Sequence, residues 1–90
     1  MEKYTLVYVG TRGGLHTVRG IDSFQQGGEP GQFLYCKPDK CGNRFYVVFA
    51  HTVVSIETAD GETLYRWTRE NRTPAYVAIA RALARHGITL

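Results

Sequence analysis

Cysteine and histidine are the residues in this 90-residue chain that could most readily act as nucleophiles, general bases or metal ligands. A thiolate that is activated by an imidazole is a strong nucleophile. The chain offers two cysteines for this role, Cys36 and Cys41, and two histidines, His16 and His51, could approach them in the fold. No local signature of such a pair surrounds them, and no Asn or Asp is evidently placed to orient the imidazole. We therefore predict no catalytic residues and no enzymatic activity.

The cysteine spacing suggests a second kind of chemistry, metal binding. The C-x4-C pair Cys36 and Cys41, followed by Gly42, resembles in outline one knuckle of a zinc ribbon. Ribbon knuckles usually separate the cysteines by two residues, and a structural zinc site needs four ligands. Three alternatives stay open: a zinc site, for which both cysteines are weak candidates, a local disulfide, or two reduced, partly buried thiols. We favour reduced thiols and expect no metal or other cofactor.

Serine and glycine motifs do not predict catalysis or phosphate binding. Ser23 lies in a glycine-rich segment and Ser55 lies within an extended pattern, so neither belongs to a G-x-S-x-G nucleophile elbow. Residues 10–14, Gly-Thr-Arg-Gly-Gly, follow a strand pattern as phosphate loops do, but no helix pattern begins after them. We predict a hairpin turn there. The carboxylates are scattered along the chain and form no acid–base pair.

Positive charge is concentrated in the last quarter of the chain. Residues 1–65 contain six bases and seven acids, whereas residues 66–90 contain five arginines and a single acid, Glu70. Guanidinium groups bind carboxylate and phosphate with two parallel hydrogen bonds. We predict that these arginines contact an anionic partner; the alternative is a solvated helix face. They are Arg66, Arg69, Arg72, Arg81 and Arg85.

The remaining pattern predicts mostly strands. Runs of β-branched and aromatic residues, separated by turn-forming residues, predict six of them. They are residues 3–9, 15–21, 33–37, 44–50, 52–58 and 63–67. Residues 22–32 contain three glycines and a proline, which predicts a surface loop and a second candidate contact site. Residues 44–50 contain six consecutive non-polar residues, which predicts a central strand covered on both faces.

The dipeptide Asp60-Gly61 predicts a hairpin between the last two strands. A two-residue turn there places Thr58 opposite Thr63, Ile56 opposite Tyr65 and Val54 opposite Trp67 on one face. The other face then pairs Glu57 with Leu64 and Ser55 with Arg66. Because the first set is mostly apolar, we expect Tyr65 and Trp67 to belong to the core.

A helix is predicted over about residues 73–86, with four or five turns. Thr73 could cap its first amide groups, Pro74 suits the first helical position, and Gly87 suits the end. Four residues at helical spacing form the predicted buried stripe. They are Tyr76, Ile79, Ala80 and Leu83.

These elements predict an α+β fold: an antiparallel sheet of about five or six strands, in meanders and hairpins, with one C-terminal helix on one face. We expect one domain over residues 1–90, β-rich in 3–67, since chains this short rarely form two cores. No apolar run approaches the length that spans a bilayer, and the first residues do not form a signal peptide. We therefore expect a cytoplasmic protein.

The function that these features favour is binding of another macromolecule, most simply a protein. In size and compact style the chain resembles phage and mobile-element inhibitors of host complexes, including anti-CRISPR proteins. The alternative is a nucleic-acid-binding module that uses the same arginines together with strand aromatics. The helix covers only one face of the predicted sheet, so the other face or a strand edge could form a homodimer.

Overall fold

The structure is a computed structural model that describes residues 3–70 and 72–90. Its described part is α+β, with antiparallel strand pairs and a C-terminal helix, which confirms the predicted fold class. Seven strands, rather than five or six, are present in these residues. The elements are β1 (Tyr4–Val9), β2 (Leu15–Ile21), β3 (Ser23–Gln26), β4 (Gln32–Asp39), β5 (Gly42–Phe49), a 3₁₀ turn (Ala50–Thr52), β6 (Val53–Thr58), β7 (Thr63–Arg66) and α1 (Ala75–Ala84).

The strands form two sheets and not the single sheet that the sequence predicts. The four-stranded sheet has the order β2-β1-β6-β7, and the three-stranded sheet has the order β3-β4-β5. The predicted loop over residues 22–32 is wrong in its first half, because Ser23–Gln26 forms β3 and pairs with β4. Four of the segment's residues from 27 onward are glycine or proline, whereas β3 has none and buries Phe24 in the core.

The chain passes from one sheet to the other at a β-bulge in β2. The bulge places Arg19 and Gly20 opposite one residue of β1, and Gly20 has a φ of 75° that favours glycine. The bend turns Ile21 fully into the core. Directly after it, the Asp22 amide donates to the Cys36 carbonyl oxygen of β4 at 2.8 Å. Strands β2 and β3 are therefore successive parts of one bent segment that joins the sheets.

Strand β5 is an edge strand, so the expectation of a central strand covered on both faces is wrong. It pairs with β4 alone among the described residues. Most of its side chains are exposed, and Val48 is the one that is buried. An uninterrupted apolar run fits either a buried strand or a strand with one uncovered apolar face. The elements that pack on each face decide between them, and these come from distant parts of the chain.

The hairpin of β6 and β7 is confirmed in its central register. Ile56 pairs with Tyr65, and Ser55 pairs with Arg66, as predicted. Ile56 and Tyr65 are both buried, so the apolar face of the hairpin does face the core. The sorting of apolar residues to one face fixes this register.

Near the turn the hairpin differs from the prediction. Glu57 pairs with Thr63, whereas the prediction paired Glu57 with Leu64 and Thr58 with Thr63. The Gly61 amide donates to the Thr58 carbonyl oxygen at 3.0 Å, and Gly61 has a φ of 94°. This is the three-residue hairpin loop with glycine in the left-handed region, not a two-residue turn, so the pairing next to the loop is displaced by one residue. A register shift between Ile56 and Glu57 restores the predicted pairing farther along the hairpin.

Trp67 is not a core residue, contrary to the prediction. Its amide donates to the Val54 carbonyl oxygen at 2.8 Å, so the expected neighbour is correct. Its side chain is nevertheless 53% exposed. A second register shift, between β1 and β6, leaves Val54 out of the pairing with β1, so Val53 and not Val54 is buried at this end of β6, and Trp67 beside Val54 lies outside the core.

Helix α1 has ten residues, Ala75–Ala84, and is shorter than the predicted 73–86. Pro74 occupies the N-cap position, which the prediction gave to Thr73, and it makes no side-chain cap hydrogen bond. The helix therefore has about three turns instead of four or five.

The end of the helix follows the predicted glycine signal. Gly87 has a φ of 80°, its amide donates to Ala84, and the Ile88 amide donates to Leu83, both at 3.0 Å. These two bonds are those of a Schellman motif, which satisfies the last carbonyl groups of a helix. Ile88 then packs against the core.

One hydrophobic cluster receives side chains from both sheets and from the helix. The helix contributes Ile79, Ala82 and Leu83, so Ile79 and Leu83 of the predicted stripe are confirmed. Tyr76 and Ala80 are only half-buried, and Ala82 takes the place predicted for Ala80. The largest fully buried side chains are Phe33, Leu6, Ile21, Ile56, Ile79 and Leu83.

Across residues 3–70 and 72–90, the structure contains no helix with the length and apolar character required to cross a membrane.

Candidate functional site

The five C-terminal arginines are all exposed. Three ion pairs occur between described residues: Lys3 with Asp22, Arg44 with Asp39, and His86 with Glu62. None of these pairs contains a C-terminal arginine, so within the described chain all five guanidinium groups lack an acidic partner. Unpaired guanidinium groups at a surface produce a positive potential that attracts anionic partners.

Three of the five arginines surround one groove of about 280 Å³ between β7 and α1. Arg66 is the last residue of β7, Arg81 lies on α1, and Arg85 directly follows α1, one turn after Arg81. Burial of Ile79 and Leu83 places the helix beside β7 and fixes the spacing of these charges. We call this site the arginine groove; its lining includes Leu64, Tyr65, Arg66, Arg81, Ala82 and Arg85.

Tyr65 lines the arginine groove without adding negative charge to it. The residue is 4% exposed, and its hydroxyl has no hydrogen-bond partner among the described residues. Burial raises the pKa of Tyr65 above its ordinary value, because the charged phenolate would lose its hydration. The phenol therefore stays neutral at physiological pH, and the positive charge of the groove is not offset from within.

The other two predicted contact residues are not part of the groove. Arg69 and Arg72 lie in the connection between β7 and α1 and are exposed, but they do not line the groove. The structure thus brings together three of the five arginines. The spacing of Arg81 and Arg85 can be read from a helix pattern, whereas the approach of Arg66 depends on tertiary packing.

The second candidate contact site, the glycine-rich segment, forms a separate cavity of about 470 Å³ with Tyr76 of the helix. The Gly27 amide donates to the Gln32 carbonyl oxygen at 3.3 Å, which ties the ends of the turn together. A Cβ at Gly27 would lie 2.9 Å from backbone atoms of Gln32, so glycine is required for this approach. No charged cluster accompanies the cavity, and its role in binding stays a prediction.

An apolar surface that the sequence did not predict lies on β5. Phe45, Val47 and Phe49 share the outer face of the three-stranded sheet and are 53%, 55% and 47% exposed. We call these three residues the β5 surface. The run of apolar residues was visible in the sequence, but it indicated burial; the exposure of the three side chains shows that no described element covers this face.

Cysteines and histidines do not gather into a reactive site in the described residues. Cys36 is buried on β4, Cys41 is exposed in the following turn, and both are free thiols. His16 stacks on Tyr8 with ring centres 5.3 Å apart, and His51 lies 5.9 Å from the ring of Phe49. In residues 3–70 and 72–90 there is no group of three or more Cys, His, Asp or Glu side chains that could hold a metal ion.

No family model, curated protein or solved structure matches this chain. Its surfaces are therefore interpreted from their own chemistry.

Strand aromatics do not accompany the arginines in one accessible site. Among the five tyrosines and one tryptophan of the predicted strands, Tyr46 and Trp67 are exposed, and neither lines the arginine groove. Trp67 lines a different cavity, with Val9 and His51. The arginine groove can therefore recognise anionic groups by charge and hydrogen bonding, without a neighbouring ring on which a base could stack. The other four residues of that set are buried or half-buried, and they are Tyr4, Tyr8, Tyr35 and Tyr65.

Proposed function

We propose that this chain is a small, non-enzymatic intracellular protein that binds an acidic surface of another protein through the arginine groove. The observation that carries the proposal is the convergence on one groove of three guanidinium groups, from Arg66, Arg81 and Arg85, that have no acidic partner in the described part of the chain. Carboxylates of a partner would accept paired hydrogen bonds from these groups. Arginine is also the charged residue most enriched at the centres of protein interfaces.

The groove suits protein carboxylates better than a nucleic-acid strand. Nucleic-acid sites combine a charged track along the backbone with aromatic platforms, and the exposed Trp67 favours that alternative because it follows Arg66 in the chain. Trp67, however, lines a cavity apart from the groove. The groove of about 280 Å³ is large enough to admit one or two acidic side chains of a partner.

Inhibition of a larger host complex, as carried out by phage and mobile-element proteins, is the mode of action that we propose for this binding. A chain of 90 residues can act on a large assembly by covering an acidic surface that the assembly needs for its own ligand. The free thiols Cys36 and Cys41 support a reducing, cytoplasmic setting. A homodimer would have to use another surface, because two arginine grooves repel each other.

Neutralising the helix arginines tests the proposal directly. The double variant Arg81→Gln and Arg85→Gln keeps helix-favouring residues but removes two charges from the groove. The matched control is Arg12→Gln with Lys40→Gln, which removes two charges from exposed turns elsewhere. Binding of a short peptide of glutamates and aspartates is measured by fluorescence anisotropy. We expect at least about a tenfold loss of affinity in the groove variant and little change in the control.

The second arm of the experiment measures binding of a single-stranded oligothymidylate that has the same net charge as the acidic peptide. Phosphate contacts give a steep dependence of affinity on salt, because binding releases counterions. Tighter binding of the oligonucleotide than of the peptide, with that steep slope, would favour the nucleic-acid alternative. Equal losses in both variants, or binding of neither probe, would contradict a role for the groove.

A further inference from the structure

Strand β5 differs from the other strands at the edges of the two sheets. Strand β2 is interrupted by its bulge at Arg19 and Gly20, and β3 and β7 have only four residues each. Strand β5 pairs with β4 through eight consecutive residue pairs without a register shift. Bulges, charges and short length are the usual means by which edge strands avoid pairing with other chains. Strand β5 lacks a bulge and is long.

The middle of β5 also lacks charge. Residues 45–49 read Phe-Tyr-Val-Val-Phe, and the nearest charged residue in the strand, Arg44, forms an ion pair with Asp39. The side chains of Phe45, Val47 and Phe49 are about half exposed on the outer face. A long, flat and uncharged edge with apolar side chains is the kind of edge on which another strand pairs.

The backbone of β5 presents hydrogen-bonding groups to the free edge. The Ala50 amide donates to Gly31 at 2.8 Å, toward β4. In antiparallel pairing the direction of the backbone groups alternates along the strand, so Phe45, Val47 and Phe49 direct theirs away from β4. The Phe49 carbonyl oxygen accepts from the Thr52 hydroxyl at 2.7 Å at the start of the 3₁₀ turn, so among these three residues the edge carbonyl groups without a partner in the described chain are those of Phe45 and Val47.

We propose that β5 pairs with β5 of a second copy of this chain, antiparallel, about a two-fold axis at Val47. A two-fold interface requires a surface that is complementary to itself. The outward residues read Phe-x-Val-x-Phe, which is the same in both directions. Antiparallel pairing centred on Val47 therefore places Phe45 opposite Phe49 of the second copy, and the two three-stranded sheets become one of six strands.

The edge has no free charge with which a basic or acidic partner strand could pair, and a second copy brings none to it. Each copy has a net charge of +3, so copies repel each other, and they repel least where they meet through a surface without free charge. The β5 surface meets that condition, and the five C-terminal arginines, which have no acidic partner among the described residues, lie outside it. The proposal is independent of the arginine groove, and either surface could function without the other. Because the contact is small, we expect a dissociation constant on the order of 10–100 µM.

Introducing a charge at residue 47 tests the two-fold register. Val47→Lys places two ammonium groups opposite each other at the axis, and Val47→Glu places two carboxylates there. The matched control is Thr17→Lys, which adds the same charge to an exposed position of the edge strand β2. Sedimentation velocity over a concentration series gives the dissociation constants, and thermal melting confirms that each variant is folded.

We expect the wild type and Thr17→Lys to dimerise alike and each Val47 variant to lose at least about tenfold in affinity. An equimolar mixture of Val47→Lys and Val47→Glu should dimerise again, because the axis then joins opposite charges. A wild type that stays monomeric at millimolar concentration would overturn the proposal and leave the edge to a strand of another protein. Dimerisation that is unaffected in both folded Val47 variants would also overturn it.

Discussion

The arginine groove and the β5 surface are two exposed regions with opposite chemistry. Three guanidinium groups that have no acidic partner in residues 3–70 and 72–90 line the groove, whereas the β5 surface has apolar side chains and a neutral free edge. A charged site needs an oppositely charged partner, which a copy of the same site is not. A neutral, self-complementary edge can bind its own copy. The comparison predicts that this small chain separates binding of a partner from self-association by the charge of the two surfaces.

The largest effect that we expect compares two phenylalanines of the three-stranded sheet. Phe33 is fully buried, whereas Phe45 is about half exposed. Phe33→Ala should lower the free energy of unfolding by roughly 3–5 kcal/mol, because it removes buried area and leaves a cavity. Phe45→Ala should cost less than about 1 kcal/mol. Urea unfolding at low protein concentration, where the chain is monomeric, measures both. Equal costs would show that the β5 surface is covered within the monomer.

A smaller effect is expected at the end of the helix that carries the groove arginines. Gly87 has a φ of 80°, so Gly87→Ala should destabilise the fold by roughly 1–2 kcal/mol. The control is Gly28→Ala, where φ is not positive and a Cβ meets no atom within 4 Å. Thermal melting compares the two variants. A stability loss at Gly28 equal to that at Gly87 would contradict the role of the left-handed conformation in ending the helix.

Stability at alkaline pH should depend on the buried tyrosines, of which Tyr65 lines the arginine groove. Burial raises the pKa of Tyr65 and of Tyr35, and nearby Tyr8 and Tyr46 raise that of Tyr35 further. The unfolded chain ionises near pH 10, while the folded chain keeps its protons to higher pH. Stability should therefore be constant with respect to these groups below about pH 10 and fall above it.

Tyr65→Phe removes one of the two tyrosine hydroxyls that titrate at alkaline pH. This hydroxyl has no hydrogen-bond partner among the described residues. We expect its stability at neutral pH to equal or exceed that of the wild type, and its loss above about pH 10 to be shallower. Melting temperatures between about pH 8 and 11 measure this difference. A large loss at neutral pH would show that the hydroxyl has a partner.

The smallest effect on stability is expected at the two arginines outside the groove. Arg69→Glu with Arg72→Glu should leave the melting temperature nearly unchanged, because both side chains are exposed and unpaired among the described residues. The double variant should weaken binding of the acidic peptide, but by less than the groove variant does. An unchanged affinity would remove these two residues from the contact surface, and a greater loss than in the groove variant would place the site in the connection.

Local signals predicted most of the elements of this fold. The Gly61 turn, the pairing of Ile56 with Tyr65 and the helix end at Gly87 all depend on residues close together in sequence. The division into two sheets depends instead on a bulge at Gly20 and on pairing between β3 and β4, which periodicity does not reveal. The position of β5 at an edge has the same origin.

The candidate site, like the fold, could be predicted from the sequence only in part. Clustering of arginines in the last quarter of the chain was apparent from composition, and Arg81 and Arg85 share a helix face by spacing. Their meeting with Arg66 depends on how α1 packs beside β7. The β5 surface was misread as core, because six consecutive apolar residues describe hydrophobicity and not the neighbours that cover it.

Sedimentation of the chain with a fluorescently labelled acidic peptide, at about 50 and 500 mM salt, tests the separation of the two surfaces most directly. One experiment reports both peptide binding and dimerisation. Screening should weaken peptide binding by at least about tenfold, since exposed charges lose their attraction. Dimerisation should stay constant or strengthen, because an apolar edge is not screened and repulsion between copies is. Loss of the dimer at high salt, or peptide binding that persists there unchanged, would contradict the assignment of charge to one surface and self-association to the other.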